Sequence, residues 1–526
     1  MKLITSILIC FILLSTKLDA KKATLPNVIV IYADDLGYGD LSCQGATKVQ
    51  TPNIDKLAAE GRKFSDAHSA SAVCTPSRYA LLTGEYPFKA NDGKGIWGPL
   101  SRHNKLLIDT ETLTLGKVFQ NKGYKTACLG KWHLGFGKDK VNDWNNSLKI
   151  GPNQVGFDYY WGVPLVNSHA PFVYVENDQI VGYEANDPMI YIGKGSKASP
   201  DLKPSPTPTF PKEAALKEPN PFAGALKAHQ IYDDEKTGTY LTEKALDWID
   251  NNKKNPFFLY FATTNIHHPF TPAPRFKGTS QAGLYGDYIH ELDWMVGEIV
   301  KRLKKNKLTD NTLIIFTSDN GGMLNYGGQL AVKKGHKMNG DLLGFKFGVW
   351  EGGHRVPFIA KWPEKIPAGS TSDQLICSMD LLSTFVSLTG QEKELSLEGK
   401  DSENILHALV GDPKVAAREE LLVAPSSSKL LSLRKGDWIY IPGRGSGGFR
   451  GSTFGTHAMG GAGAVAFIKG ENSDIKNGRI IPNAPKAQLY NLNEDKNQHT
   501  NVYNKYPKKV QEMQNILLNY RQNVHK

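Results

Sequence analysis

Asn27-Val28-Ile29-Val30-Ile31-Tyr32-Ala33-Asp34-Asp35 is the stretch that decides the fold. The run N-V-I-V-I-Y is continuous, apolar and rich in β-branched residues, with no polar alternation. Such a strand has to be covered on both faces, which is the habit of strands inside parallel sheets. Two carboxylates follow at once. A buried pair of carboxylates is costly unless something positive meets them. The pair is therefore either a solvated turn or part of a site for a hard cation, which would need more oxygen ligands from elsewhere.

Working outward, the same design recurs. Asn311 to Thr317 (N-T-L-I-I-F-T) is a second buried strand, ending at Ser318-Asp319-Asn320-Gly321-Gly322. Pro256 to Thr263 (P-F-F-L-Y-F-A-T) is a third, leading to Asn265-Ile266-His267-His268-Pro269. Gly123 to His133 reads as a short strand that delivers Lys131 and His133 to a loop at the sheet edge. A strand followed by a polar, histidine-bearing loop is how an α/β fold presents chemistry. Helical spacing lies between these strands: Thr51–Gly61, Thr114–Asn121, the set Leu241, Ala245, Trp248 and Ile249, and the long set Tyr285, Ile289, Leu292, Val296, Ile299 and Leu303. On the last of these, Asp293, Lys301 and Lys304 read as the solvated face. Asp380–Leu388 is a further helix pattern.

From about Arg418 the style changes. Leu421–Val423, Leu430–Leu433 and Trp438–Ile441 are short strand patterns joined by Ser-, Lys-Gly- and Gly-rich turns, a small antiparallel sheet. Tyr506–Tyr520 is a closing helix. The expected organisation is a signal segment at 1–20, a catalytic domain at 21–415 and a smaller α+β domain at 416–526. Two stretches resist regular structure. Residues 184–230 carry eight prolines, from Pro188 to Pro221, and read as an ordered excursion or a flap. Gly443–Gly463 is glycine-rich and carries Arg444, Arg450 and His457; it could reach a site, and it lacks the Gly-Lys-Ser/Thr ending of a phosphate loop.

The 526 residues are 40% hydrophobic and carry a formal charge of +11. That surplus suits an anionic partner, and without zinc-finger spacing or a dense basic run it does not favour nucleic acid. Lys2, the apolar run Ile4–Leu14 and Leu18-Asp19-Ala20 form a secretory signal, too short to span a membrane. The expected location is periplasmic or secreted, with no stable membrane insertion. After cleavage four cysteines remain, enough for one bridge at most if Cys74 is modified.

One further stretch stands apart: Ala72-Val73-Cys74-Thr75-Pro76-Ser77-Arg78-Tyr79-Ala80-Leu81-Leu82-Thr83-Gly84. It reads as a cysteine in a polar turn, then an apolar helical step and a glycine stop. An isolated cysteine here would be a small buried hydrophobe. The whole string, however, resembles the signature of the formylglycine-dependent sulfatases. The resemblance extends in order through Asp34-Asp35, Cys74-x-Pro76-Ser77-Arg78, Gly130-Lys131-Trp132-His133, His267-x-Pro269, Asp319-Asn320-Gly321, and Lys346 five residues before Glu351-Gly352-Gly353. It spans roughly residues 27 to 363. Leu129 departs mildly from the second signature.

The resemblance implies an alkaline-phosphatase-like fold: a large mixed, mostly parallel sheet flanked by helices, with a smaller C-terminal antiparallel sheet plus helix. It implies that Cys74 is converted to formylglycine by a maturation enzyme, and that the hydrated aldehyde attacks the sulfur of a sulfate ester. Asp34, Asp35, Asp319 and Asn320, together with position 74, would hold calcium; magnesium is second choice on ligand type. His267, selected over His268 by its place before Pro269, would protonate the leaving alcohol. His133 would take the proton whose loss expels sulfate. Arg78, Lys131 and Lys346 would offset the sulfate charge.

The substrate is expected to be a sulfated oligo- or polysaccharide of ulvan, carrageenan or glycosaminoglycan type. His169, His336 and Arg355, with Lys337 and His354 behind them, are candidates for contacting the sugar. The rivals are a phosphatase or phosphodiesterase of the same superfold and a non-catalytic binder of sulfated glycans.

Overall fold

The computed structural model describes residues 25–139, 144–191, 222–412 and 414–523. The signal segment and most of the proline-rich excursion lie outside the described residues.

A ten-stranded sheet forms the centre. Its strands are β1 (Asn27–Ala33), β2 (Arg62–Phe64), β3 (Lys125–Gly130), β4 (Tyr159–Gly162), β5 (Val175–Glu176), β6 (Gln179–Ile180), β7 (Phe257–Ala262), β8 (Thr312–Ser318), β9 (Phe358–Lys361) and β10 (Ser370–Ser372). The order across the sheet is β10-β2-β9-β8-β1-β7-β3-β4-β5-β6. β8, β1, β7, β3 and β4 are mutually parallel neighbours. β9 and β5 run against their neighbours, so the sheet is mixed and mostly parallel.

The unbroken apolar runs are explained by two covered faces. Val28, Val30 and Tyr32 of β1 pack with Phe258 and Tyr260 of β7 under helices α2 (Cys74–Thr83), α3 (Leu115–Asn121) and α6 (Leu381–Leu388). Ile29, Ile31 and Ala33 point the other way, with Leu259 and Phe261, under α1 (Pro52–Ala59), α4 (Thr237–Asn252) and α5 (Leu284–Lys305). The side chains alternate faces with the period of a strand, and both sets find a helix layer.

Asp293 corrects one expectation. It sits on α5 but is not on a solvated face. It is buried, and its Oδ1 accepts from the backbone N–H groups of Asn53 (3.0 Å) and Ile54 (2.8 Å). Those are first-turn donors of α1 that no intrahelical carbonyl can reach. An acid that caps a neighbouring helix looks, in sequence, like any exposed helix acid.

The second sheet is antiparallel: β11 (Glu420–Val423), β12 (Ser432–Lys435), β13 (Trp438–Ile441) and β14 (Gln488–Asn491). One face, with Leu421, Leu433, Tyr440 and Leu489, packs on α7 (Pro507–Gln522) through Val510, Met513 and Leu517. The other face, with Ile439, Ile441 and Tyr490, packs against Leu343, Val349 and Trp350. The small sheet thus braces the segment that carries Lys346. Among the described residues no cysteine is bridged, and no helix is long and apolar enough to cross a membrane.

Candidate active site

Four adjacent parallel strands, β8, β1, β7 and β3, end at one edge of the sheet. The residues after them are Asp319-Asn320, Asp34-Asp35, Thr263 to His267, and Lys131 to His133. Parallel register makes this convergence unavoidable, and it is where open α/β sheets bind ligands. Backbone bonds stitch the ends together: Asp34 N to Asn265 O (2.8 Å), Ile266 N to Asp34 O (2.6 Å), Lys131 N to Ala262 O (2.8 Å) and Asp319 N to Ala33 O (3.1 Å). At Gly130, with φ +118°, a Cβ would lie 1.8 Å from Ala262 O, so only glycine fits that approach.

Cys74 comes up to this edge from α2. The helix begins at Cys74 itself, not after a polar turn, and every residue of it to Thr83 is buried. Gly84, at φ +69°, ends it in the left-handed conformation.

The carboxylates are partly paired. Lys131 Nζ donates to Asp34 Oδ2 (2.7 Å), and Arg78 donates through Nε (3.0 Å) and Nη2 (2.7 Å) to Asp319 Oδ2. Lys346 Nζ and Asn320 Nδ2 both donate to Asp35 Oδ1. Three buried acceptors remain without a hydrogen bond: Asp34 Oδ1, Asp35 Oδ2 and Asn320 Oδ1. Asp34, Asp35 and Asp319 each offer an oxygen within 4.8 Å of the others. Orphaned oxygens of this kind, all hard donors, are what an oxygen-coordinated cation would satisfy. Burial raises Asp319 above the ordinary carboxylate range, and Asp34 adds to the rise. Burial works against a charge on Lys346, yet Asp35 lifts it above a usual lysine.

The two histidines are fixed in complementary tautomers. His133 Nε2 faces the Leu100 carbonyl at 3.3 Å. A carbonyl only accepts, so Nε2 carries the proton and Nδ1 presents its lone pair to Cys74 Sγ at 3.4 Å. His267 Nδ1 donates to the carbonyl of His268 (2.6 Å), which turns its Nε2 toward Asp35 Oδ2 at 3.9 Å. Burial pushes both imidazoles well below their ordinary range; Lys131 and Arg78 add to this for His133, and His268 and Lys346 for His267. Burial likewise raises the Cys74 thiol, so an unmodified Cys74 rests protonated. Asp35 (φ 60°), His133 (φ 55°) and Phe347 (φ 74°), beside Lys346, hold left-handed backbone without being glycine, strain of the kind that collects at functional sites.

The predicted sugar contacts separate. His169 is exposed and close enough to His268 to oppose a charge there. His336 is buried and bonded to Asp40 (2.7 Å), which also accepts from Tyr285. Lys337 is paired with Asp341. Arg355 is engaged with Glu351 (2.9 Å) and the Ser65 carbonyl. His354 Nδ1 lies 2.9 Å from His68 Nδ1. These last residues belong to a second buried group, in which Arg434 of β12 forks onto Asp66 (2.8 and 2.6 Å) and Arg355 also faces Asp66. Two carboxylates there, Asp66 and Glu351, face two guanidiniums, those of Arg355 and Arg434.

Sequence reasoning did not foresee Leu100, whose carbonyl sets the His133 tautomer. No residue type signals that role. It also gave no weight to Phe449, although the glycine-rich loop around it was conspicuous.

The comparisons agree with this geometry. The sulfatase family's sequence profile matches residues 26–391. An N-acetylgalactosamine-6-O-sulfatase of Bacteroides thetaiotaomicron is 34% identical over 512 residues, covering 95% of this chain and 94% of its own. A solved structure from work on glycosaminoglycan metabolism by Bacteroides thetaiotaomicron has TM-score 0.79 and 33% identity over 94% of this chain and 99% of that one. The structure of Ps i-CgsB in complex with k-i-k-neocarrahexaose has TM-score 0.64 and 25% identity over 94% and 92%. This chain belongs to the sulfatase family and is a sulfuric ester hydrolase.

Proposed function

We propose that the enzyme removes sulfate from a sulfated carbohydrate, with formylglycine at position 74 and calcium held by Asp34, Asp35, Asp319 and Asn320. One observation carries the reading: the lone pair of His133 faces Cys74, and three orphaned oxygens lie at the same sheet edge with three buried cations. The relatives support a saccharide substrate. The N-acetylgalactosamine-6-O-sulfatase matches along nearly its whole length.

Formylglycine would supply a hydrated aldehyde as nucleophile, and calcium would supply a Lewis acid for a sulfate oxygen. The rest of the work belongs to this chain's own side chains. Lys131, Lys346 and Arg78 hold positive charge in buried surroundings, where it would offset an incoming sulfate strongly. His133 Nδ1 accepts a proton at the position 74 side chain, its ring held by the Leu100 carbonyl. His267 Nε2 faces the metal-ligand cluster and delivers a proton to the leaving oxygen. An anionic ester beside it counters the burial and the neighbouring cations that keep it neutral in the free protein. We read residues 1–20 as the export signal, 21–415 as the catalytic domain and 416–526 as its smaller companion, with a formylglycine-generating enzyme as the maturation partner.

Two measurements test the reading. Initial rates on defined sulfated oligosaccharides, galactosamine 6-sulfates first, are compared with rates on aryl sulfate and aryl phosphate. Peptide mass spectrometry reads position 74 after expression with a maturation enzyme. Phosphate-only turnover, or a plain cysteine in active protein, would refute it.

A further inference from the structure

The glycine-rich segment after β13 does not wander in solvent. It is clamped at both ends to the catalytic side. At the near end Val349 N, on the catalytic side, donates to Ser446 O (2.8 Å), and Ser426 Oγ of the C-terminal region itself steadies Gly447 O (3.0 Å). Farther along, Met459 N donates to Leu324 O (2.9 Å), and Gln329 bonds Gly455 N (2.9 Å) and Thr456 O (3.1 Å). The glycines permit this close routing: at Gly448 a Cβ would lie 2.9 Å from the Phe347 backbone.

Between the clamps the loop lays two rings along the site. Phe449 meets Phe347 edge to face, with centroids 4.5 Å apart. His457 lies 6.3 Å from Phe449 and 5.2 Å from His268, which stacks on His267 at 4.4 Å. Phe347 follows Lys346, whose Nζ is 5.2 Å from that ring, and Phe347 N bonds Ala72 O, two residues before Cys74. The chain of rings therefore runs from the sulfate-facing lysine to the general-acid histidine. Its outer members are open: Phe449 is 37% exposed, and His457 is exposed.

We infer that Phe449 and His457, supplied from the C-terminal region, form the platform that binds the sugar ring bearing the sulfate. The C–H face of a pyranose stacks on the electron-rich face of Phe449. The His457 imidazole bonds a ring hydroxyl or a neighbouring acid group. An apolar ring beside a few polar groups, next to a charged cluster, is the usual make-up of a ligand site. The inference rests on the sulfatase reading and adds the part of the protein that selects the substrate.

The test compares kcat/KM on a 6-sulfated galactosamine disaccharide with that on 4-nitrophenyl sulfate. Phe449→Ala and His457→Ala are expected to lower the saccharide-to-aryl ratio at least tenfold, mainly through KM for the saccharide. Phe449→Trp is expected to restore it. Phe454→Ala is the control. Phe454 is equally exposed, at 38%, on the same loop, but packs on Tyr326 and Lys333, and its loss leaves the ratio unchanged. An unchanged ratio in Phe449→Ala, or the same fall in Phe454→Ala, overturns the platform. Titration calorimetry with the disaccharide runs alongside. Wild-type affinity in Phe449→Ala overturns the platform even if no ester is hydrolysed, whereas failure to hydrolyse any sulfate ester refutes only the underlying reading.

Discussion

Adding calcium to chelator-treated protein should raise its melting temperature, and the size of the rise can be worked from the site. Asp34 Oδ1, Asp35 Oδ2 and Asn320 Oδ1 are buried acceptors without hydrogen bonds. Each such group costs about 1–3 kcal/mol, so roughly 3–9 kcal/mol is available for a cation to relieve. Binding only the folded state at a hundredfold excess over Kd adds about 2.7 kcal/mol. Unfolding entropy near 2.1 cal/mol/K per residue gives about 1.1 kcal/mol/K for 526 residues. The expected rise is therefore ~2–3 °C, read by scanning calorimetry at fixed scan rate. Magnesium at the same concentration should give less, because it demands near-octahedral geometry and keeps its waters. Asn320→Ala removes one orphaned oxygen without removing a charge, and should shrink the calcium shift. No calcium shift in the wild type, or an undiminished one in both Asn320→Ala and Asp35→Asn, would refute the cation reading of these oxygens.

Three other outcomes are expected. His267→Ala should cut kcat on a sulfated sugar by about 10²–10⁴-fold and on 4-nitrophenyl sulfate far less, since nitrophenolate leaves without a proton; equal losses would remove His267 from the acid role. Glu291 is buried beneath the loop that carries His267, accepting from Asn265 Nδ2 (3.0 Å) and Ala273 N (3.3 Å), and burial raises its carboxyl from 4.5 to about 7. Between those values the folded state keeps a proton that the unfolded chain releases, so stability falls as pH rises, by about 3 kcal/mol in all. In urea titrations Glu291→Gln should gain on the wild type from pH 5 to pH 8; a constant difference would sink the assignment. Arg434→Met should cost about 3–5 kcal/mol by leaving buried Asp66 short of its forked partner; a loss within about 1 kcal/mol would place the pair with ordinary exposed ones.

Much of the fold was legible because its strands are unusual. A run such as N-V-I-V-I-Y admits one environment, covered on both faces, and the carboxylates or histidines after each run mark the edge where the strands end. The small sheet was legible through its turns. What escaped reading was whatever depended on a partner far along the chain. Asp293 looked like a solvated helix acid because its partners, Asn53 and Ile54, belong to a helix about 240 residues earlier. His336 and Arg355 are engaged by carboxylates, Asp40 and Asp66, on distant segments, and no local pattern announces those pairings. The start of α2 at Cys74 was hidden by Pro76, which reads as a turn former, although proline is tolerated in a first helical turn.

The burial of α2 has a consequence in time. Cys74 is 1% exposed, and every residue from it to Thr83 is closed off by the sheet and its neighbours. A catalyst that converts this side chain has to grip the flanking chain, and in the finished fold none of that chain is offered. The proposed conversion must therefore come before folding, during synthesis or export. Activity would then be decided once in the life of each molecule. On that reading a chain that folds with cysteine at position 74 would stay inactive, and adding the maturation enzyme later would rescue it only after the chain had been unfolded.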